Sequence, residues 1–177
     1  MNWSSHTNKI GLKKSKSIGI INKLTYLVPQ RILLTLFNTL ILPHINNCIL
    51  AWGESSNRIK MLHKRAIRTI SLTNKLAHTE PICKSLNIMQ FKDIYETQIL
   101  KFYFNLKQNN LPTYFKNSNL ANTNYPKYHY NTRQQKKGLL ILPKVKHELA
   151  KKCLRYKLAT IVNKTPDIIL NKHIAYH

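Results

Sequence analysis

Twenty-nine lysines and arginines stand against six acids, Glu54, Glu80, Asp93, Glu96, Glu148 and Asp167, a formal net charge of +23. A domain that unbalanced repels itself, and a polyanionic partner is the natural relief. The basic residues run along the whole chain and are not gathered in one short cluster. That distribution favours nucleic acid over an anionic membrane or a heparin-like partner. The chain also leans on Asn, Lys and Ile and holds only four glycines. Nucleotide bias in an AT-rich genome accounts for part of the Lys and Asn, but not for the shortage of Asp and Glu. Apolar residues make up 43 % of 177 positions, too many for a disordered chain. One domain with a sizeable core, or a core with a loosely attached tail, is the expected size class.

Three cysteines, Cys48, Cys83 and Cys153, are odd in number and far apart. They define no disulfide framework and suit a reducing compartment, so an intracellular protein, nuclear or cytoplasmic, is expected. Met1–Lys9 is polar and lacks the apolar core of a signal peptide. Ile32–Trp52 is apolar in its first half, but Pro43, His44, Asn46 and Asn47 interrupt the second. That stretch falls short of the roughly 20 apolar residues a bilayer crossing needs, and reads as a buried helix pair with no membrane span.

The expected fold class is mainly α. Residues 9–108 read as a helical region, 109–137 as a linker or long loop, and 138–177 as a small C-terminal helical segment. A first helix is expected near Lys13–Leu27, with Ile18, Ile21 and Leu24 on one face and Lys13, Lys16 and Lys23 largely off it. Pro29 stands where a helix can open without a backbone donor. Ile32–Leu42 follows, stopped or kinked at Pro43, and Gly53 is placed as a C-terminal cap. In the helix expected over Ser55–Ser71, Ile59, Leu62, Ala66, Ile67 and Ile70 fall on one arc. Arg58, Lys60, Lys64, Arg65 and Arg68 fall opposite, broken by Met61. Five cations without an anion gain no i,i+4 pairs and repel one another, a cost that a phosphate backbone would remove. A solvated basic face is the plain alternative.

Thr79 is read as the N-cap of a short helix with Pro81 in its first turn. Phe91–Lys107 reads as amphipathic, with Ile94, Tyr95, Gln98, Phe102 and Leu106 near helical spacing. Phe102, Tyr103 and Phe104 are expected in the core, with base stacking as the less favoured role. Pro112, Pro126, repeated Asn and Tyr128–Tyr130 mark the linker. Leu139–Val145 is expected as a short strand or extended segment. Helices over Glu148–Asn163 and Pro166–Ile174 complete the chain, the second opened by Thr165-Pro166-Asp167.

Candidate chemistry is sparse. Two-metal catalysis needs carboxylates brought together, and this chain has neither Asp-Asp nor Asp-x-Asp. Asp93 and Glu96 lie one turn apart, where an exposed helix surface explains them. His44 and Cys48 are four apart, with no second pair to close a zinc site. Glycine-rich phosphate loops and nucleophile elbows are missing from the sequence. No metal, cofactor or catalytic site of the chain's own is expected.

The order of motifs resembles the stretch that follows the catalytic palm in non-LTR, LINE-like retrotransposon reverse transcriptases of the jockey type. Lys14-Ser15-Lys16-Ser17-Ile18-Gly19-Ile20 with Leu24 is similar to the opening helix after the palm. Pro29, Leu33, Leu34, Leu36 and Phe37, then Leu40-Ile41-Leu42-Pro43-His44, resemble the family's "LL.LY.SLI.PH" segment. Ala51-Trp52-Gly53 fits its "WG" step, Lys64-Arg65-Ala66-Ile67-Arg68 its "QKKAIR" helix, and His78-Thr79-Glu80-Pro81 its "HT.P" turn. Asp93-Ile94-Tyr95 with Gln98 fits the next helix, and Tyr130-Asn131-Thr132-Arg133 its "YNTR" motif. The resemblance covers roughly Lys9 to Asp167. It implies a thumb-like helical bundle and downstream region of an RNA-directed DNA polymerase, holding template RNA and target DNA. The palm with its paired aspartates has no counterpart here, and Met1–Thr7 stands where the palm's last strands would be. A truncated copy without catalysis of its own is therefore expected, whose missing partners are the palm and fingers of the parent polymerase.

The expected nucleic-acid-binding residues are Lys14, Lys16, Arg58, Lys60, Lys64, Arg65, Arg68 and Arg133. If Lys60, Lys64, Arg65, Arg68 and Arg133 each neutralise one phosphate, the log-log salt slope is about −3.5 on single strands. Lysines on an exposed face position a backbone and read no base edge, so specificity is weak. Two other readings compete. Lys13, Lys14 and Lys16 beside Ile18–Ile21 make a basic amphipathic helix for a membrane surface. Alternatively the chain is a degenerate fragment whose apolar faces, deprived of a palm, do not fold stably.

Overall fold

A computed structural model describes residues 3–53, 56–116, 120 and 139–166. The fold is mainly α, and no strand occurs among the described residues. Two compact units are present, one running to Tyr95 and the other from Glu96 onward, so the division falls inside a helix. The Tyr128–Arg133 stretch, most of the linker and the helix expected beyond Pro166 lie outside the described residues.

In the first unit, α1 spans Ser4–Leu24, beginning nine residues before the expected Lys13. Its buried positions Ile10, Lys14, Ile18 and Ile21 recur at i, i+4, i+8 and i+11, one stripe of a 3.6-residue period. Ile18 and Ile21 are almost wholly buried, each worth about 2 kcal/mol of transfer free energy. The Thr25 hydroxyl donates to the Ile21 and Asn22 carbonyls at 2.9 and 3.0 Å and closes the last turn.

Pro29 caps α2, Gln30–Leu36, one residue ahead of the position expected for it. The chain does not stop at Pro43. A π-helical turn, Phe37–Ile41, carries it into α3, Leu42–Asn46. Proline lacks an N–H and crowds the carbonyl four residues back. One widened turn absorbs both, with the Leu42 N–H donating to the Phe37 carbonyl. Leu33, Phe37, Ile41 and Ile45 thereby stay on one buried face. After a left-handed Cys48 (φ 55°), α4, Ile49–Trp52, buries Trp52, whose indole N–H donates to the Asn47 carbonyl at 3.0 Å.

Gly53 ends α4 but is right-handed (φ −57°), so it is not the left-handed cap expected. Its reason is space. A Cβ there would lie 2.6 Å from the Ile49 carbonyl oxygen and 2.8 Å from the Tyr95 ring.

α5, Asn57–Ile70, is capped by Ser56, whose hydroxyl accepts from the Ile59 N–H at 3.4 Å. It buries Ile59, His63, Ala66, Ile67 and Ile70. His63 takes the core position expected of Leu62, which is half-buried at the edge. α6, Thr79–Ser85, starts from His78 as N-cap, so Thr79 lies inside the helix. α7 spans Phe91–Lys107, with the expected ends but a rotated face. Phe91, Ile94, Tyr95, Ile99 and Tyr103 are buried, in place of Gln98 and Phe102. α5, α6 and α7 end in the same turn. Left-handed Leu72, Asn87 and Asn109 let Thr73, Ile88 and Asn110 donate back to Arg68, Cys83 and Asn105 at 3.2, 2.9 and 3.0 Å.

In the second unit, Phe102 and Phe115 pack edge to face at 5.6 Å, beside α8, Thr113–Lys116. The expected extended segment forms no strand. Leu140 is instead clamped by the Asn163 amide, which accepts from its N–H and donates to its carbonyl, both at 2.9 Å. The amide does for one residue what a neighbouring strand would do. The expected Glu148–Asn163 helix is broken at Lys152–Cys153 into α9, Glu148–Lys151, and α10, Leu154–Lys164.

Candidate nucleic-acid interface

α1 lies along α5, and the two helices are the main packed pair of the first unit. Where their surfaces diverge they leave an open cleft of about 1110 Å³. From α1 it takes Ile18, Gly19 and Asn22, and from the connection after it Tyr26; from α5 it takes Arg58, Met61, Leu62, Arg65 and Arg68; Leu72 and Lys75 close its end. A Cβ added to Gly19 would meet nothing within 4 Å, so the floor is open there. No acidic side chain among the described residues lines the cleft.

The geometry of α5 divides its five cations. At 100° per residue, Arg58, Arg65 and Arg68 fall on the flank that faces the cleft, with Met61 and Leu62 between them. Lys60 and Lys64 fall on the opposite flank. Lys60 is half-buried, its ammonium 6.0 Å from the centre of the Phe91 ring, and Lys64 is exposed. The three arginines differ in how firmly they are held. Arg58 donates to the Asn8 side-chain oxygen at 3.1 Å and passes over Gly11, 3.2 Å from where a Cβ would stand. Arg68 donates from Nε to the Ala77 carbonyl at 2.8 Å, which leaves its terminal nitrogens for a ligand. Arg65 is exposed, and its guanidinium has no protein partner among the described residues.

Of the residues expected from sequence, Arg58, Arg65 and Arg68 therefore come together. Lys16 is exposed on α1 outside the cleft, and Arg133 lies outside the described residues. Lys14 is a correction, because its side chain is fully buried. It follows Ile10 by four residues and precedes Ile18 by four, so it belongs to the core stripe. That spacing was the signal available in the sequence. Its amine has no hydrogen-bond partner, and burial pulls its pKa from 10.5 down to about 7. Lys75, Tyr26 and Leu72 are among the cleft residues that sequence reasoning missed, since none lies within α1 or α5, the helices whose faces were read.

A second buried base lies on α5. The His63 ring packs among Phe37 and Phe91, with centroids 5.6 and 6.2 Å away. Its Nε2 is 3.1 Å from the Met89 carbonyl and donates to it, while Nδ1 is unpartnered. Desolvation, reinforced by the Lys14 charge and only partly opposed by the Met89 bond, lowers its pKa to about 4.

The aromatic run on α7 is packed inward. Tyr103 is buried, Phe102 lies against Phe115, and the Lys107 ammonium sits 5.0 Å above the Tyr103 ring. It offers no open stacking platform. Of the α1 residues that a membrane-surface helix would use, Ile18 and Ile21 are core, while Ile20 is exposed. No helix among the described residues is long and apolar enough to cross a membrane, and none of these residues form a group of three potential metal ligands. Comparison with protein-family models, curated proteins and solved structures finds no match to this chain.

Proposed function

We propose that this chain binds nucleic acid through the α1–α5 cleft, by an electrostatic and largely sequence-independent mechanism. One observation carries the proposal: Arg58, Arg65, Arg68 and Lys75 converge on a cleft with no acid among its described lining. The Lys84–Glu80 and Lys151–Glu148 ion pairs lie elsewhere. Four positive charges on one concave surface concentrate field, and a polyphosphate backbone is the partner that relieves it. Guanidinium groups suit this role because their planar forks take two phosphate oxygens at once.

Within the same proposal, the chain corresponds to the post-palm region of a non-LTR retrotransposon reverse transcriptase. The ordered motifs from Lys14 to Arg133 support it. Binding is then its whole contribution, and polymerisation belongs to a palm that it would accompany. The first genomic test is to read the sequence upstream of Met1 in all frames. Paired-aspartate palm sequence there, even interrupted by stops, supports the assignment; with unrelated sequence there the basic helical piece is judged alone, and the salt-dependent binding test decides.

The binding test is a salt titration on a labelled single strand. Four phosphate contacts give a log-log slope of about −2.8, in place of the about −3.5 expected from five dispersed residues. Between 50 and 200 mM salt that is a loss of roughly fifty-fold in affinity. A slope near zero would remove the proposal. Liposome co-sedimentation that RNA does not compete would favour a membrane surface instead.

A further inference from the structure

We infer that the cleft takes single-stranded rather than duplex nucleic acid, with one base stacked on Tyr26. This rests on the binding function proposed above and adds the form of the ligand. The cleft is not simply basic. Tyr26, in the connection after α1, is 87 % exposed while lining it, Met61 between the arginines is 71 % exposed, and Leu72 is 61 % exposed. Such apolar surface gains nothing from a duplex, which presents phosphates outward and keeps its base faces stacked inside. An unpaired strand presents both chemistries in alternation. Phosphates meet Arg58, Arg65 and Arg68, while bases lie over the Tyr26 ring and the Met61 and Leu72 side chains.

Arginine over lysine at the three α5 positions points the same way. A guanidinium plane stacks on a base as well as pairing with a phosphate, and an ammonium does not. An apolar protein partner is the poorer occupant. It would cover Met61 and Leu72 but desolvate three guanidiniums without supplying a carboxylate, a costly burial. At the start of α2 the Gln30 amide donates to the Ile70 carbonyl, near the end of α5, at 3.3 Å. The helix that follows the Tyr26 connection is thus anchored to the helix that carries the arginines.

The experiment uses the full chain and three labelled probes of equal phosphate count. These are an oligothymidylate, an oligouridylate and a DNA hairpin duplex, titrated by fluorescence anisotropy at near-physiological salt. The single strands are expected to bind tighter than the hairpin. Tyr26→Ala should weaken single-strand binding by about five-fold to a hundred-fold, the value of one stacked base, and weaken hairpin binding by less. Tyr26→Phe should restore it. Unequal binding of the thymidylate and uridylate probes identifies DNA or RNA as the source of the strand. Because Tyr26 is almost wholly exposed, both variants should keep the helical circular dichroism of the parent. Equal affinity for strand and hairpin, or a Tyr26→Ala variant that loses nothing, overturns the inference and leaves salt-dependent binding standing. Failure of all three probes to bind overturns both.

Discussion

Replacing Lys14 by methionine should stabilise this protein, by an amount that depends on pH. Methionine matches the length of the lysine stem and fills the same space between Ile10 and Ile18 without a charge. A fall in the amine's pKa from 10.5 to about 7 corresponds to roughly 5 kcal/mol of preference for the neutral form. Relaxation and water entry reduce that figure, so a gain of ~2–4 kcal/mol is expected near neutral pH. Because the folded pKa is the lower one, the unfolded chain binds an extra proton between about pH 7 and 10.5. Parent stability therefore rises with pH through that window, and Lys14→Met removes the rise. Urea unfolding at pH 6, 7.5 and 9.5 measures both effects. The variant's advantage should be fully present at pH 6, a midpoint shift of about 2 M. It should shrink to ~1 kcal/mol at pH 9.5, leaving the cost of an unpaired neutral amine. A variant no more stable at pH 6, or one whose advantage does not change with pH, would refute the assignment of Lys14 to the core.

Three further outcomes follow from the same geometry. With its folded pKa at about 4 against 6.5 unfolded, His63 should make stability fall as pH drops from 6.5 toward 4; denaturation followed by near-UV circular dichroism should show that fall in the parent and lose most of it in His63→Phe. Gly53→Ala should cost about 1–3 kcal/mol, because the new methyl meets the Ile49 carbonyl and the Tyr95 ring; a thermal melt with no fall in midpoint would contradict that packing. Leu72→Gly should add ~1 kcal/mol, since Leu72 is exposed and held at φ 55°, where only glycine avoids the steric penalty; chemical denaturation that shows a loss instead would mean the Leu72 side chain packs more than its exposure implies.

How much was legible in the sequence varies from element to element. Periodicity located α5 and α7 to within two residues, because an apolar stripe every 3.6 residues has one low-energy arrangement. It misjudged faces wherever a polar residue sat inside a stripe. Lys14 was assigned outward by chemistry and His63 was given no face, yet their spacing from Ile10, Ile18, Ile59 and Ile67 placed both inward. Pro43 was legible as a disturbance but not as a π-turn, since either a break or a widened turn satisfies a missing donor. Packing of Phe37, Ile41 and Ile45 on one side chose between them.

Charge, helical class and the lack of a bilayer-length apolar run are properties of composition and local spacing, and the sequence by itself determined them. The cleft is different. Arg58, Arg65 and Arg68 form one stripe of α5, but only the crossing of α1 separates them from Lys60 and Lys64. Only that crossing sets Tyr26, thirty-two residues before Arg58, beside them. Gly53 carries the same lesson, its need set by a tyrosine forty-two positions away. Local rules act over one or two turns, whereas a binding surface depends on residues that meet only when separate helices pack.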